Sequence, residues 1–274
     1  MKTAESGQAN WENTATVFGG DGAWGRKTVE LFEKLGFKTN VCEIEDDPLD
    51  MAKKSRVLFF SVNPTENIRQ IAGRVTPIIG REHIILENAS AKDQIKSSLL
   101  NLADLGASVC STHPMCDPVA TPDLTEVPLL LMDVGQNSAE ARDLAERLFE
   151  PTKMRVVPFD FETHDKGMKV IQFMVHFLQR TVGSFLAEEG VDLSSLLQIA
   201  TPNFHLFHAS LMRTLTQDPQ VSATIINSAL QRDETMEFAQ RLAGRFQRVI
   251  DMSEGERLEE FDKSAKALGQ KGLR

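Results

Sequence analysis

The sequence predicts an α/β protein in two parts, a doubly wound sheet over residues 14–161 and an all-helical domain over residues 162–274, with residues 1–13 as an N-terminal arm. Three observations predict it. Short apolar runs alternate with stretches of helical periodicity as far as Val157, a glycine-rich turn follows the first run, and beyond about Thr163 only helical patterns remain.

Residues 14–18 (TATVF) read as the first strand and end at the turn Gly20-Asp21-Gly22-Ala23-Trp24-Gly25. Residues 26–35 carry apolar side chains at helical spacing, and Gly36 stops them. Residues 38–43 form a second strand. Residues 56–62 (RVLFFSV) are almost continuously apolar, as a strand covered on both faces of a parallel sheet should be. Residues 84–87, 107–110, 128–132 and 155–157 complete the strands, with helical patterns between several of them. In the second part, residues 169–188 are one long helical pattern too apolar to stand exposed. Residues 193–199, 203–215, 221–250 and 254–267 also read as helices. So much apolar surface on one helical half predicts a homodimer with the pocket between the two domains.

Composition narrows the function classes. The 274 residues are 41% hydrophobic and 25% charged, ordinary for a globular protein. A net charge of −9 argues against a nucleic-acid binder, which needs a basic face for phosphates. It leaves small anionic substrates open, since one arginine can hold a carboxylate. Cys42, Cys110 and Cys116 show neither metal-ligand spacing nor a secreted disulfide framework, so reduced thiols in a cytoplasm are expected. No apolar run reaches the roughly 20 residues of a membrane span, and the first residues lack a hydrophobic signal core. No metal site is expected; His205 and His208 have no third ligand, and His83 reads as a surface histidine. The chain has no tyrosine, so no phenol can serve in catalysis.

The turn after the first strand has the spacing of a dinucleotide-binding, Rossmann-type loop. Gly20 suits a tight turn, Gly22 a close approach of backbone to pyrophosphate, and Gly25 close packing of helix on strand. Ala23 and Trp24 open the helix, whose free N–H groups face the phosphates. Glu43 ends the second strand 18 residues after Gly25, placed to accept hydrogen bonds from a ribose and repel a 2′-phosphate. NAD is therefore expected over NADP, with Arg26 and Lys27 as cations that could favour the other. His113, in His113-Pro114-Met115, follows the strand 107–110 and should stand at the carboxyl edge of the sheet, where ligands bind. A neutral imidazole there can take a hydroxyl proton as hydride leaves the same carbon. Ser90 and Lys92 follow the preceding strand and open onto the same crevice. Arg213 on an apolar helix needs a partner, either a protein carboxylate or a substrate. His176 is either a core histidine or part of the pocket.

These motifs together resemble the prephenate dehydrogenase family over nearly the whole chain. GGDGAWG resembles its GGxGxMG. Ser61-Val62 resembles its Ser-Val-Pro with Asn63 in place of proline, NASAK (88–92) its Ser-Val-Lys, and His113-Pro114-Met115 its His-Pro-Met. Glu162 to Asp165, Ile171-Gln172 and His176-Phe177 resemble its helical signature. Residues 186–220 look like the dehydrogenase part of the enterobacterial chorismate mutase–prephenate dehydrogenase, here expected without the mutase. The resemblance implies oxidation and decarboxylation of a dicarboxylate, with aromatisation as driving force, toward tyrosine or a related aromatic. It implies His113 as base, Ser90 orienting the hydroxyl or the imidazole, and Arg213 gripping a carboxylate. It also implies His176 lining the pocket, Lys92 on the nicotinamide side, Ser61 and Val62 beside the cofactor, and His164 ordering the long helix with Asp165.

Several further positions depart from the family. Phe-Gly-Pro after His-Pro-Met reads Cys116-Asp117-Pro118, an arginine of the enterobacterial relatives is His205, and a tyrosine is Ser222. Prephenate is the first expectation. Arogenate and 4-amino-4-deoxyprephenate are alternatives, because Asp117 could pair with an amine. A catalytically weak, NAD-binding regulator is the second alternative.

Overall fold

The structure, a computed structural model, describes residues 11–63 and 65–272; most of the expected N-terminal arm lies outside them. Seven strands form one sheet in the order β2-β1-β3-β4-β5-β6-β7: Thr14–Phe18, Lys38–Cys42, Val57–Phe60, Ile84–Glu87, Ser108–Pro114, Pro128–Asp133 and Arg155–Pro158, numbered β1 to β7 along the chain. The strands β1 to β5 are parallel. Alternate residues of each central strand point to opposite faces. Leu58 and Phe60 join one core cluster with Ile68, Ala72 and Leu99, and Val57 and Phe59 join another with Leu31, Phe32 and Leu148. The helices α1 (Ala23–Lys34) and α5 (Ala139–Phe149) cover the second face; α2 (Pro48–Ala52), α3 (Thr65–Val75) and α4 (Asp93–Asp104) cover the first.

Strand order reverses between β1, which leads out to β2, and β3, which begins the return on the other side. A crevice opens at the carboxyl ends of such a pair, where Gly19-Gly20 and Ser61-Val62 emerge. The strand β6 departs from the parallel pattern and lies antiparallel to β5. A parallel neighbour needs a long crossover, whereas the link 115–127, broken by Pro118 and Pro122, forms no helix.

Other expectations need correction. The strand β5 runs to Pro114, so His113 lies within it, opposite Leu130, rather than beyond its end. The strand β3 stops at Phe60, where the chain turns into the crevice. His83 is buried, with its ring edge-on to Trp11 at 5.6 Å.

The helical part consists of α6 (Phe161–Met168), a π-helical segment Lys169–Met174, α7 (Val175–Glu188), α8 (Leu193–Leu196), α9 (Pro202–Leu215), α10 (Pro219–Leu230), α11 (Asp233–Asp251) and α12 (Glu254–Gly272). The single helix expected over 221–250 is two, because Arg232 takes an extended conformation (φ −99°, ψ 126°) and its guanidinium reaches Asp93 on α4 at 3.4 Å. Phe161 and Met168 dock α6 on the sheet core. Further out the packing is thin: Ile199, Leu206, Ile250 and Leu258 each leave 70% or more of their surface exposed. Among the described residues no helix is long and apolar enough to cross a membrane.

Candidate active site

One cavity of about 940 Å³ runs from the crevice at β1 and β3 to the helical part. Its first end is the glycine turn. Gly19 carries the positive φ (+77°), the role expected of Gly20; Gly20 is needed instead because a Cβ there would lie 2.7 Å from Val41. A Cβ on Gly25 would stand 1.9 Å from the Gly19 carbonyl oxygen, so only glycine lets α1 start against the strand. Gly22 caps α1 without a side-chain bond, and the first turn holds no acidic residue, leaving its N–H groups and dipole to an anion. Ala23, Trp24, Glu43, Ser61 and Val62 line the cavity here. Glu43 accepts a hydrogen bond from the Asp21 N–H at 2.8 Å, which holds its carboxylate beside the turn. The exposed Arg26 guanidinium bonds the Asp21 carbonyl. These residues fit a dinucleotide with a free ribose 2′-hydroxyl.

The middle of the cavity holds His113, 2% exposed. Its Nδ1 lies 2.9 Å from His164 Nε2, and His164 Nδ1 lies 2.9 Å from Asp165 Oδ1. The carboxylate accepts, so His164 Nδ1 carries its hydrogen and Nε2 its lone pair. His113 Nδ1 then donates, which leaves the lone pair of His113 Nε2 facing Gln172 Nε2 at 3.3 Å. Burial, then the charge of Lys92 and the neighbouring His164, holds the His113 pKa well below the usual histidine value. The arrangement is an unprotonated base with its tautomer set from behind.

Arg213, Thr214, Gln217 and His176 line the far end. Arg213 is exposed to the cavity; it donates to Thr121 Oγ1 at 2.9 Å and, among the described residues, has no carboxylate partner. His176 Nδ1 lies 3.0 Å from Ser222 Oγ. Asp117 also lines the wall, with Oδ1 accepting from the Val119 N–H. Burial, then the charge of Asp117, pushes the Cys116 thiol up to about 11, so it favours the protonated form.

Two expected residues stand apart from His113. Ser90 lines the cavity and is exposed, but His113 is oriented by His164 and Gln172 instead. Lys92 does not reach the cavity wall. It is fully buried, donating to Glu87 Oε1 at 2.6 Å and to the Thr112 carbonyl at 2.7 Å, because a buried ammonium needs a charged partner.

The prephenate dehydrogenase nucleotide-binding domain matches residues 24–158, and the prephenate dehydrogenase dimerization domain matches residues 160–266. The chain belongs to the prephenate dehydrogenase family. It is 28% identical over 255 residues to the T-protein of Enterobacter agglomerans, a match covering 91% of this chain and 63% of that protein. It is 22% identical over 232 residues to a probable arogenate/prephenate dehydrogenase of Methanocaldococcus jannaschii, covering 79% of this chain and 52% of that protein. The chain thus spans between half and two thirds of these curated relatives. Its fold is similar to that of the A. aeolicus prephenate dehydrogenase crystallised with hydroxyphenyl propionate and NAD+ (TM-score 0.60, 15% identity, 94% and 98% coverage). It is also similar to Synechocystis arogenate dehydrogenase (TM-score 0.61, 12% identity, 94% and 99% coverage).

In this member of the prephenate dehydrogenase family, several site residues escape a reading of the sequence. His164 and Asp165, expected to order a helix, stand behind His113; their adjacency at a helix start was the signal available. Gln172 reaches His113 from the π-helical segment, whose extra residue per turn no periodicity in the sequence marks. Trp24 donates from Nε1 to the Cys116 carbonyl at 3.0 Å, tying the nucleotide turn to the segment that departs from the family. Arg180, one turn beyond His176, had no motif to mark it.

Proposed function

We propose that this chain catalyses the NAD-dependent oxidative decarboxylation of prephenate to 4-hydroxyphenylpyruvate and works as a homodimer. One observation carries the reading: a lone pair on His113 Nε2 and an Arg213 guanidinium that has no carboxylate partner among the described residues open onto the cavity that begins at the nucleotide turn. NAD, when bound, accepts the hydride from ring carbon C4. His113 Nε2 takes the C4 hydroxyl proton in place of the Gln172 contact, and the His164–Asp165 pair stabilises the imidazolium. As carbon dioxide leaves, its electron pair enters the ring, and the phenolate oxygen takes the proton back from His113. Arg213 holds a substrate carboxylate and so fixes the ring relative to the base. Glu43 favours NAD over NADP. The exposed apolar side chains of α9, α11 and α12, in the part matching a dimerization domain, support the homodimer.

The test follows NADH formation with prephenate, arogenate and 4-amino-4-deoxyprephenate. His113→Asn should lose roughly 10²-fold or more in kcat while still binding NAD. Asp117 in the cavity wall favours an amine-bearing substrate as a second reading. Good turnover of an amino substrate with none of prephenate would reject the first reading. NAD binding without turnover of any of the three would make the chain a regulator.

A further inference from the structure

The far end of the cavity contains a second relay, of opposite polarity to the first. Arg180 Nε donates to Ser222 Oγ at 2.8 Å, and its second amino nitrogen donates to the Gln217 carbonyl at 3.0 Å. Both partners are neutral, and among the described residues no carboxylate lies within ion-pair distance of this half-buried guanidinium. Asp218, next to Gln217 in sequence, is turned to cap α10 through the Gln220 N–H. Among the described residues nothing therefore neutralises the charge of Arg180 beside the cavity.

Ser222 is buried, and of the two side chains its hydroxyl meets, Arg180 can only donate, so its own hydrogen goes to His176 Nδ1, 3.0 Å away. An accepting Nδ1 makes His176 the Nε2–H tautomer. Burial and the Arg180 charge also lower its pKa, which keeps the ring neutral. His176 lines the cavity and has no partner on Nε2 among the described residues. Asp165–His164–His113 thus presents an acceptor to the cavity, and Arg180–Ser222–His176 presents a donor backed by a cation.

We infer that Arg180, acting through Ser222 and His176, is a positioning residue that selects a substrate whose side chain is a 2-oxo acid over one bearing an ammonium group. The 2-oxo oxygen of the side chain, the one acceptor the amino compound lacks, accepts from His176 Nε2–H. An ammonium offers only donors to that N–H and is repelled by the guanidinium. This deepens the proposed function and rests on it: prephenate is preferred to arogenate at this end, whereas a 4-amino group at the other end of the ring is not sensed. It also gives Ser222 a reason, since only a small hydroxyl side chain both fits beneath Arg180 and passes the hydrogen bond on.

The experiment compares the wild type with Arg180→Gln, Ser222→Ala and the charge-retaining Arg180→Lys. In Arg180→Gln and Ser222→Ala, KM for prephenate should rise about tenfold (~1.4 kcal/mol), with kcat within about threefold and KM for arogenate little changed. Arg180→Lys should recover most of the loss for prephenate. Nitrogen NMR of the NAD-loaded protein should show His176 as the Nε2–H tautomer, and as a mixture of tautomers in Ser222→Ala. Equal losses for both substrates, a loss in kcat alone, or an Nδ1–H tautomer in the wild type would overturn the inference. If the wild type oxidises neither substrate, the proposed function fails on its own. Binding of 4-hydroxyphenylpyruvate against tyrosine then decides for Arg180: a tenfold loss confined to the oxo acid keeps it, and no difference removes it. Should Arg180→Gln not fold, Ser222→Ala and Arg180→Lys carry the same comparison.

Discussion

Replacing Lys92 with methionine should cost this protein a large part of its stability without touching the cavity wall. Lys92 and Glu87 are both fully buried, 2.6 Å apart, and at an effective dielectric constant of about 20 their attraction is about 6 kcal/mol before desolvation. Methionine fills the space of the lysine stem but leaves the Glu87 carboxylate with only the Ala89 N–H and the Ser111 hydroxyl as partners. Removing one member of such a pair typically costs ~3–5 kcal/mol, against a total stability of ~5–15 kcal/mol. Denaturant unfolding followed by circular dichroism would show this as a lower midpoint at unchanged slope. The double variant Lys92→Met/Glu87→Gln removes the stranded charge and should return to within about 1–2 kcal/mol of wild type. A loss below about 1 kcal/mol in the single variant, or a double variant no better than the single, would refute the reasoning.

Two further outcomes follow from the site. Gly25→Ala places a Cβ 1.9 Å from the Gly19 carbonyl, so calorimetry should find NAD affinity down by about 100-fold or more, with Gly22→Ala, whose Cβ meets that oxygen at 3.3 Å, milder. Because burial depresses the His113 pKa, the base stays unprotonated through neutral pH; kcat/KM for prephenate should be flat from about pH 8 to 6.5 and fall only as pH drops below the ordinary histidine range. A profile that already halves near pH 7 would show that His113 is not the base or is not buried in the working enzyme.

Much of the sheet was legible because its signals are local. The run VLFF reads as a strand covered on both faces, and it is buried on both. The glycine turn, Glu43 and the helix after them form a fixed-spacing motif, and they assemble as the spacing implies. Elements were lost where a distant partner overrules local periodicity. Arg232 breaks the helix expected over 221–250, and the strand holding His113 extends because β6 pairs with it. Ser90 and Lys92 are two residues apart in sequence, yet one lines the cavity and the other is buried under it, since strand-end position alone does not say which side chain turns inward.

By itself the sequence determined the chemistry on hand: a nucleotide turn made of glycines, a carboxylate at a strand end, a histidine at the sheet's carboxyl edge and an arginine on an apolar helix. Those properties belong to residue types at short spacings, and spacing within a strand or a helix sets direction. Tertiary structure alone decided the polarity of the site. His113 presents a lone pair because His164 and Asp165, 51 and 52 residues away, occupy its other nitrogen. His176 presents a hydrogen because Ser222, 46 residues away, occupies its own. An imidazole has no fixed donor and acceptor until its partners are in place, and only folding brings those partners within 3.0 Å.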